Sequence, residues 1–230
     1  MTSDSTRGTA IKAPEWMVSN VAPSTPRGKR TKERLMQAAE ELFRTRHYKD
    51  IAVTDIAAAG KISIGSFYRY FDNKEELFVV LLSQVFWRLY HATRGTWRSG
   101  DPFSVNLLRT TTTYLTAYYE NRHFLRSALE TTAESNRVRE MWWAVRRDLY
   151  THMVAKLRDD QAASSLPPLD PEITIRALSG MVEEYAFRTF SDEEFGPVSD
   201  ADIEPAARVL AEIWFRTLFG GREPEADPAG

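Results

Sequence analysis

The side chains best suited to chemistry lie in one stretch near the N-terminus, which reads SIGSFYRYFDNK from Ser63 to Lys74. Ser63 is a suitable N-cap, because its hydroxyl can accept a hydrogen bond from a free backbone N–H at a helix start. Phe67 and Phe71 are four residues apart, so they can share one buried face of a short helix. That arrangement turns the remaining residues outward: Ile64, Gly65, Ser66, Tyr68, Arg69 and Tyr70.

The outward residues have the chemistry of a surface that contacts DNA. Tyrosine and serine hydroxyls and the ammonium group of Lys74 are typical phosphate-binding groups. The guanidinium of Arg69 can reach a phosphate or a guanine edge. Gly65 carries no Cβ, so its backbone can approach another surface closely. The stretch therefore predicts a short helix that enters a DNA groove.

Two predicted helices precede this stretch and would hold it in place. The first runs from about Thr31 to Arg46, and its apolar residues follow the i, i+3, i+4, i+7 spacing of a helix with one buried face. The second runs from about Val53 to Ala59, after which Gly60 and Lys61 interrupt the helical pattern. Three short helices, the last two joined by a tight turn, form a helix-turn-helix unit.

Charge is divided unevenly along the 230 residues of the chain. Residues 27–74 contain eleven basic and six acidic side chains, a net charge of +5, whereas residues 75–230 contain seventeen basic and twenty-four acidic, a net charge of −7. A basic block on an acidic body indicates that one part alone meets a polyanion. A solvated charged surface explains the same distribution about equally well.

The composition excludes several other classes of protein. Hydrophobic residues make up 43% of the chain, which is enough for a sizeable core, and the absence of Cys excludes disulfides and thiolate metal sites. No apolar run is long enough to span a bilayer, and the N-terminus lacks the apolar segment of a signal peptide. We therefore expect a cytoplasmic protein without a membrane segment.

A longer run, ISIGSFYRYFDNKEEL, begins at Ile62 and includes the stretch described above. Apolar residues of the two preceding helices accompany it: Leu35, Ala38, Ala39, Leu42, Phe43, Val53, Ile56 and Ala57. Together these residues resemble the DNA-binding domain of the tetracycline-repressor (TetR-type) family of transcriptional regulators. The resemblance covers residues 31–77, and the rest of the chain agrees with the family only in length and helical pattern.

The resemblance implies a role for each matching position. Thr54, Ile64 and Gly65 would approach base edges, Arg69 would reach a base or a phosphate, and four residues would hold phosphates: Ser66, Tyr68, Tyr70 and Lys74. Ile64 can pack on a thymine methyl group but cannot form a hydrogen bond, so specificity would depend on Arg69, Thr54 and DNA shape. For Tyr68 and Tyr70 the alternative is packing in the core.

A basic run leads into the first helix and contains Lys29 and Arg30. These side chains would follow the DNA backbone or reach the minor groove, unless they only solvate the start of the helix.

Two positions depart from the family's pattern. The family usually has Thr or Ser as the cap of the second helix, where this chain has Ala52, and the lost cap would cost about 1 kcal/mol. The family also favours Gly in the turn between the second and third helices, where this chain has Lys61, with Gly60 one residue earlier. Lys61 then either adopts a strained positive φ or places its ammonium near DNA phosphates.

The remainder of the chain is predicted to be helical. A fourth helix with Asp72 as its cap and Glu75 completing a capping box would join the DNA-binding unit to the body. Further helices are expected at about Phe103–Glu120, Arg122–Thr132, Ser135–Asp159, Pro171–Phe190 and Asp200–Phe219.

We therefore expect an all-α fold with a disordered N-terminal arm at residues 1–26 and a three-helix DNA-binding domain at 27–74. A helical ligand-binding and dimerisation domain of about six helices would follow at 75–220, with a disordered tail at 221–230.

Aromatic and hydroxyl side chains are frequent in the body, which suits an apolar pocket with a few polar anchors. The resemblance implies such a pocket for a small, largely apolar effector, with these candidates: Thr113, Tyr114, Tyr118, Trp142, Trp143, Arg146, Met181, Glu184 and Tyr185. Each aromatic residue taken alone also fits core packing, and Arg146 and Glu184 also fit an exposed surface.

The resemblance further implies a homodimer formed by the last two helices, at residues 171–190 and 200–219. Two-fold symmetry suits a palindromic operator of double-stranded DNA, with the two reading helices about 34–36 Å apart. The alternative is that these helices only close the core of one protomer.

No catalytic or metal-binding constellation is apparent in the sequence, and no cofactor is expected. Glu120 and His123 have Glu-x-x-His spacing, but a di-iron bundle needs two copies of that motif. The sequence therefore predicts a dimeric, ligand-responsive DNA-binding regulator, with repression as its expected mode, and not an enzyme. Two alternatives stay open: an all-helical enzyme whose DNA-like segment binds a partner, and a DNA-binding regulator that senses no ligand.

Overall fold

The structure is a computed structural model that describes residues 23–98, 100–163, 169–191 and 196–221. The described part is all-helical, as predicted. Its nine α-helices are α1 (Pro26–Thr45), α2 (Val53–Ala59), α3 (Ile64–Phe67), α4 (Lys74–Arg94), α5 (Phe103–Glu120), α6 (Arg122–Thr131), α7 (Asn136–Ala163), α8 (Pro171–Ala186) and α9 (Ile203–Phe219). The predicted arm covers residues 1–26 and the predicted tail covers 221–230; of these, residues 1–22 and 222–230 lie outside the described residues, and Pro26 already belongs to α1.

The first helix begins earlier than the sequence pattern suggested, at Pro26 instead of about Thr31. Thr25 is its N-cap, and the side-chain hydroxyl of Thr25 accepts a hydrogen bond from the Gly28 N–H at 3.1 Å. Proline suits the first helical position, because the N–H that it lacks would have no partner there. The basic run with Lys29 and Arg30 therefore lies on α1 itself.

The cap of α4 is Asn73, one residue after the predicted Asp72. Its side-chain oxygen accepts from the Glu76 N–H at 2.9 Å, and the Glu76 carboxylate accepts from the Asp72 N–H at 2.6 Å. The bonding differs from the predicted capping box in two ways: it uses Glu76 instead of Glu75, and the carboxylate accepts from the N–H of Asp72, the residue before the cap, instead of from the N–H of the cap residue.

The C-terminal part of the body differs from prediction at α8. A π-helical turn (Phe187–Ser191) follows α8 directly, where a continuous α-helix was expected. A short 3-10 turn (Asp200–Asp202) leads into α9. The packing of α9 is mainly against α5, whereas α8 packs on α7.

One apolar core runs through the predicted boundary between residues 74 and 75. Phe43 of α1, Phe78 of α4 and Phe124 of α6 are fully buried. The ring centroids of Phe43 and Phe78 are 4.8 Å apart, and those of Phe78 and Phe124 are 5.0 Å apart. This aromatic joint places the three-helix head directly against the body. Across the described helices, none has the length and apolar character to cross a membrane.

Candidate nucleic-acid interface

The helix α3 is a single turn that Ser63 caps as predicted, because the Ser63 hydroxyl accepts from the Ser66 N–H at 3.2 Å. The helical course continues beyond it, since the N–H groups of Tyr70 and Phe71 both donate to the Phe67 carbonyl, at 2.9 and 3.1 Å. Phe67 and Phe71 are fully buried and anchor this turn in the core of the head.

The opposite face of this turn is turned to solvent. Ile64 is 46% exposed and Tyr68 is 55% exposed, which excludes core packing for both. Arg69 is also exposed, and a Cβ added at Gly65 would meet nothing within 4 Å. Tyr70 is half-buried and packs against the core. The turn therefore presents an apolar, an aromatic and a cationic side chain around an unobstructed backbone.

The backbone of the turn between α2 and α3 accounts for Gly60 and Lys61, the two residues at which this turn departs from the family's pattern. Lys61 has φ of 51°, so this lysine occupies the left-handed position. Gly60 has an ordinary φ of −74°, but a Cβ there would lie 3.3 Å from the Ile56 carbonyl oxygen and 3.6 Å from the Ala38 Cβ. Glycine at position 60 therefore avoids a tight contact with the Ile56 carbonyl at the end of α2, whereas a Cβ there would be in ordinary van der Waals contact with Ala38 of α1. The Arg34 guanidinium holds the turn by donating to the Gly60 and Lys61 carbonyls, at 2.6 and 3.0 Å.

The start of α2 lacks a side-chain cap, because Ala52 has no polar atom beyond its backbone. The Asp55 carboxylate accepts from the Ala52 N–H at 2.9 Å and so supplies one half of the missing capping box. Thr54 is exposed in the first turn of α2. Its hydroxyl is therefore accessible to DNA, as the predicted base contact requires.

We call the turn from Ser63 to Phe71, which includes α3, the reading turn. An open groove of about 610 Å³ joins the start of α1 to this reading turn. Its lining is mostly polar: Pro23, Ser24, Thr25, Arg27, Gly28, Thr31, Ser66, Arg69 and Tyr70. A helix N-terminus with nearby cations attracts an anion such as a DNA phosphate. The groove thus brings Ser66, Arg69 and Tyr70 together, as expected for phosphate contacts, whereas Lys29 and Arg30 are exposed on α1 outside its lining.

Sequence analysis missed Thr25, Gly28 and Thr31 as parts of this groove. A signal was present in the pair Thr25–Pro26, because a hydroxyl residue followed by proline is typical of a helix start.

The ammonium of Lys74 is engaged inside the head. It donates to the carbonyl oxygens of Tyr48 and Ile51, both at 2.7 Å, and lies 4.0 Å from the centre of the Tyr48 ring. Burial lowers the pKa of Lys74 and outweighs the nearby carboxylates, Asp50 foremost. Two of its three N–H donors thus attach the segment between α1 and α2 to α4. A phosphate contact, which stays a prediction, would have only the third donor available.

In the body, several of the predicted ligand-binding residues lie near one another. Tyr114 and Tyr118 on α5 have ring centroids 6.0 Å apart, and the Arg146 guanidinium lies 5.8 Å from the Trp142 ring. Burial raises the pKa of Tyr114 far above its usual value and that of Tyr118 to about 12.

Arg146 is the main charged group in this region. It forms an ion pair with Glu183, and the Tyr150 hydroxyl donates to the same carboxylate at 3.0 Å. Its Nε atom is buried and has no hydrogen-bond partner among the described residues. A buried donor without a partner is costly, so Arg146 can serve as an anchor for an acceptor atom of a ligand.

Other predicted ligand-binding residues do not join this cluster. Trp143 is 55% exposed, and Glu184 lies on the surface, where it pairs with Arg188 at 2.8 Å. Three more are half-buried: Thr113, Met181 and Tyr185. None of the nine candidates lines the groove beside α1 or a second open groove between α5 and α9.

The polar clusters of the described residues include no group of three His, Asp or Glu side chains placed to hold a metal ion.

Comparison with known sequences agrees with the geometry of the head. The profile of the bacterial regulatory proteins of the tetR family matches residues 35–81. The HTH-type transcriptional regulator EthR of Mycobacterium tuberculosis is 28% identical to this chain over 213 residues, which cover 86% of this chain and 94% of that protein.

Comparison with solved structures extends the agreement to the body. A bacterial regulatory protein in the tetR family from Rhodococcus superimposes with a TM-score of 0.65 at 19% identity, over 82% of this chain and 96% of that chain. The TetR-family transcriptional regulator PfmR from Thermus thermophilus gives 0.63 at 24% identity, over 80% and 97% of the two chains. At these identities the structures show a shared fold.

Proposed function

Because the chain belongs to the TetR family, whose members are DNA-binding transcriptional regulators, we propose that it is a homodimeric repressor without catalytic activity. A small, largely apolar ligand would release it from a palindromic operator in the cytoplasm. One observation carries the proposal: the exposed face of the reading turn, with Tyr68 and Arg69, stands next to a cationic groove at the start of α1.

Different residues of the exposed face suit different parts of DNA, some the base edges and others the phosphates. Ile64 and the open backbone at Gly65 fit a base edge in the major groove, together with Thr54 at the start of α2. Tyr68, Ser66 and Tyr70 supply hydroxyls for phosphates, and the groove beside α1 fits a phosphate of the neighbouring backbone. Phosphate contacts fix the register, whereas the base contacts and DNA shape give specificity.

The last two helices support a dimer, because apolar residues remain exposed on both. Ile173 on α8 is 70% exposed, and on α9 Val209 and Ile213 are 61% and 38% exposed. Val209 and Ile213 also line a groove of about 580 Å³ between α5 and α9. A second copy placed against this face would remove these side chains from water and set two reading turns on one side of the dimer.

Release by a ligand would follow from two dimer states with different head spacing. A ligand that packs among the aromatic residues of α5 and α7 and accepts a hydrogen bond from Arg146 would favour the state with the wrong spacing. The ligand can shift the equilibrium only by as much as its affinity differs between the two states. Since α4 carries the head, a tilt of α4 is the simplest connection between the two sites.

A regulator that senses no ligand is the second candidate, because the groove beside α1 and the groove between α5 and α9 are open at the surface and are not lined by the predicted ligand-binding residues. Such a protein would keep the same operator affinity in the presence of every small molecule tested. Titration of candidate apolar compounds against a preformed complex with DNA separates the two candidates.

The proposed interface is tested by Arg69→Gln, with Arg147→Gln as the matched control. Arg147 is exposed on α7, so its substitution removes the same charge from the body. Fluorescence anisotropy with DNA from the region flanking the protein's own gene measures the affinity. We expect Arg69→Gln to weaken binding by about 1–3 kcal/mol if it contacts guanine, or to lower the salt slope by about one if it contacts phosphate. Equal affinity and salt slope for both variants would contradict the proposal.

A further inference from the structure

A path of polar contacts connects the interior of the body with the turn that follows α1, and this path does not use α4. It begins at Tyr118, a buried residue of the proposed ligand-binding region. The Tyr118 hydroxyl lies 3.4 Å from the hydroxyl of Ser191, which in turn donates to the Arg122 carbonyl at 3.0 Å. Ser191 is the last residue of the π-helical turn after α8, and such turns are frequent at functional sites.

From the π-helical turn the path crosses to α6 and then to the head. Arg126 on α6 donates to the Ser191 carbonyl at 3.2 Å and, through its Nε atom, to the Glu130 carboxylate at 3.1 Å. The other oxygen of Glu130 lies 3.0 Å from Nδ1 of His47, in the turn between α1 and α2. One carboxylate thus joins the body to the head.

The electrostatics of Glu130 agree with this role. Burial alone would raise its pKa, but the hydrogen bonds from His47 and Arg126, together with their charges, outweigh it and hold the pKa below the ordinary value. The carboxylate therefore stays ionised at neutral pH and remains an acceptor for both partners.

The contact differs in kind from the aromatic joint of Phe43, Phe78 and Phe124. Apolar packing is non-directional, so a joint of that type tolerates a change of angle. A hydrogen-bonded carboxylate between His47 and Arg126 is directional and sets an angle. The His47 and Glu130 side chains are 47% and 43% exposed, so the pair adds little to stability.

We propose that Glu130 is a positioning residue for the DNA-reading head, and that the path from Tyr118 to His47 conveys the state of the body interior to it. The proposal rests on the proposed function, because it assumes a dimer whose two heads must match an operator. A ligand that displaces the Tyr118 hydroxyl or the π-helical turn would shift Arg126, loosen Glu130 and free the head from its set angle.

The test measures the distance between the two heads directly. The chain contains no Cys, so Gln37→Cys, at an exposed position of α1, gives one spin label on each head of the dimer. Pulsed electron paramagnetic resonance then reports the distribution of head-to-head distances in the full-length protein without DNA. Glu130→Gln and Tyr118→Phe are compared with Glu140→Gln, which removes a carboxylate from an exposed position on α7.

We expect Glu130→Gln to broaden or shift the distribution by several ångströms, Tyr118→Phe to act in the same direction, and Glu140→Gln to leave it unchanged. Melting temperatures close to that of the parent protein would show that the variants are folded. In addition, the effects of His47→Gln and Glu130→Gln should not be additive, because both remove the same contact.

An unchanged distribution in Glu130→Gln would overturn the positioning role while leaving the proposed function intact. An effect of Glu130→Gln without any effect of Tyr118→Phe would overturn the path to the interior. Absence of any head-to-head distance would overturn the dimer itself, and the proposal with it.

Discussion

Single residues of the reading head show which roles local spacing can predict. The cap at Ser63 and the buried pair Phe67 and Phe71 follow from spacings of three and four residues, and the structure confirms them. The left-handed backbone at Lys61 was one of two alternatives. The carbonyl contacts of Lys74 were not predictable, because they reach 23 and 26 residues back along the chain and depend on the packing of α4 against the head.

Lys61 combines backbone strain with a charge near the expected DNA, and two variants separate these properties. Lys61→Gly should raise the free energy of unfolding by up to about 1 kcal/mol, since glycine adopts the positive φ without steric cost but loses more entropy on folding. Lys61→Gln keeps the strain and removes the charge, so its stability should not change. Urea denaturation measures the free energy of unfolding of both variants. A marked destabilisation by Lys61→Gly would contradict the presence of backbone strain at this position.

The internal bonds of Lys74 predict a loss of stability when its ammonium is removed. Lys74→Met keeps most of the side-chain volume but leaves the carbonyls of Tyr48 and Ile51 without their donor. We expect a loss of about 2–3 kcal/mol, because hydrogen bonds to charged groups are among the stronger ones. The control is Lys49→Met at an exposed lysine in the same segment. Equal thermal stability of the two variants would show that Lys74 has no structural role.

At the scale of helices, the sequence predicts where a helix lies better than it predicts what that helix packs against. The bounds of α2 and α5 agree with prediction, because helix-breaking residues mark them locally: Gly60 follows α2, and Gly100 and Pro102 precede α5. The π-helical turn after α8 could not be predicted, since it depends on contacts with α6. For α9 the apolar pattern alone does not show which apolar residues are buried. Leu210, Trp214 and Leu218 are buried in the protomer, whereas Val209 and Ile213 are exposed. The position of α5 against α9 determines this difference.

The exposed apolar face of α9 predicts the effect of a charge placed there. Val209→Arg should yield a folded monomer, because dimerisation would bury an unpaired guanidinium. The control is Ala155→Arg at an exposed position of α7. Size-exclusion chromatography with light scattering measures the mass of both. A dimer that persists in Val209→Arg at the same concentration would place the interface elsewhere.

At the scale of the whole molecule, a basic head is attached to an acidic body through one continuous core. The fold class and the DNA-binding head could be predicted because the residues that define the head lie within one short segment. The surroundings of the body residues could not, because Tyr114, Arg146 and Glu183 lie on three different helices that meet only in the folded body. Trp143 and Glu184 show the same limit, since helical spacing does not reveal that both lie at the surface.

The central claim is that the head recognises a specific duplex as one of a symmetric pair. The most direct test is a nuclease footprint on DNA flanking the protein's own gene, at physiological salt and with an excess of unrelated competitor DNA. We predict a discrete protected site with two-fold sequence symmetry and half-sites about one helical turn, or a multiple of it, apart. Equal, salt-sensitive attraction to every duplex, including this region, would contradict the claim.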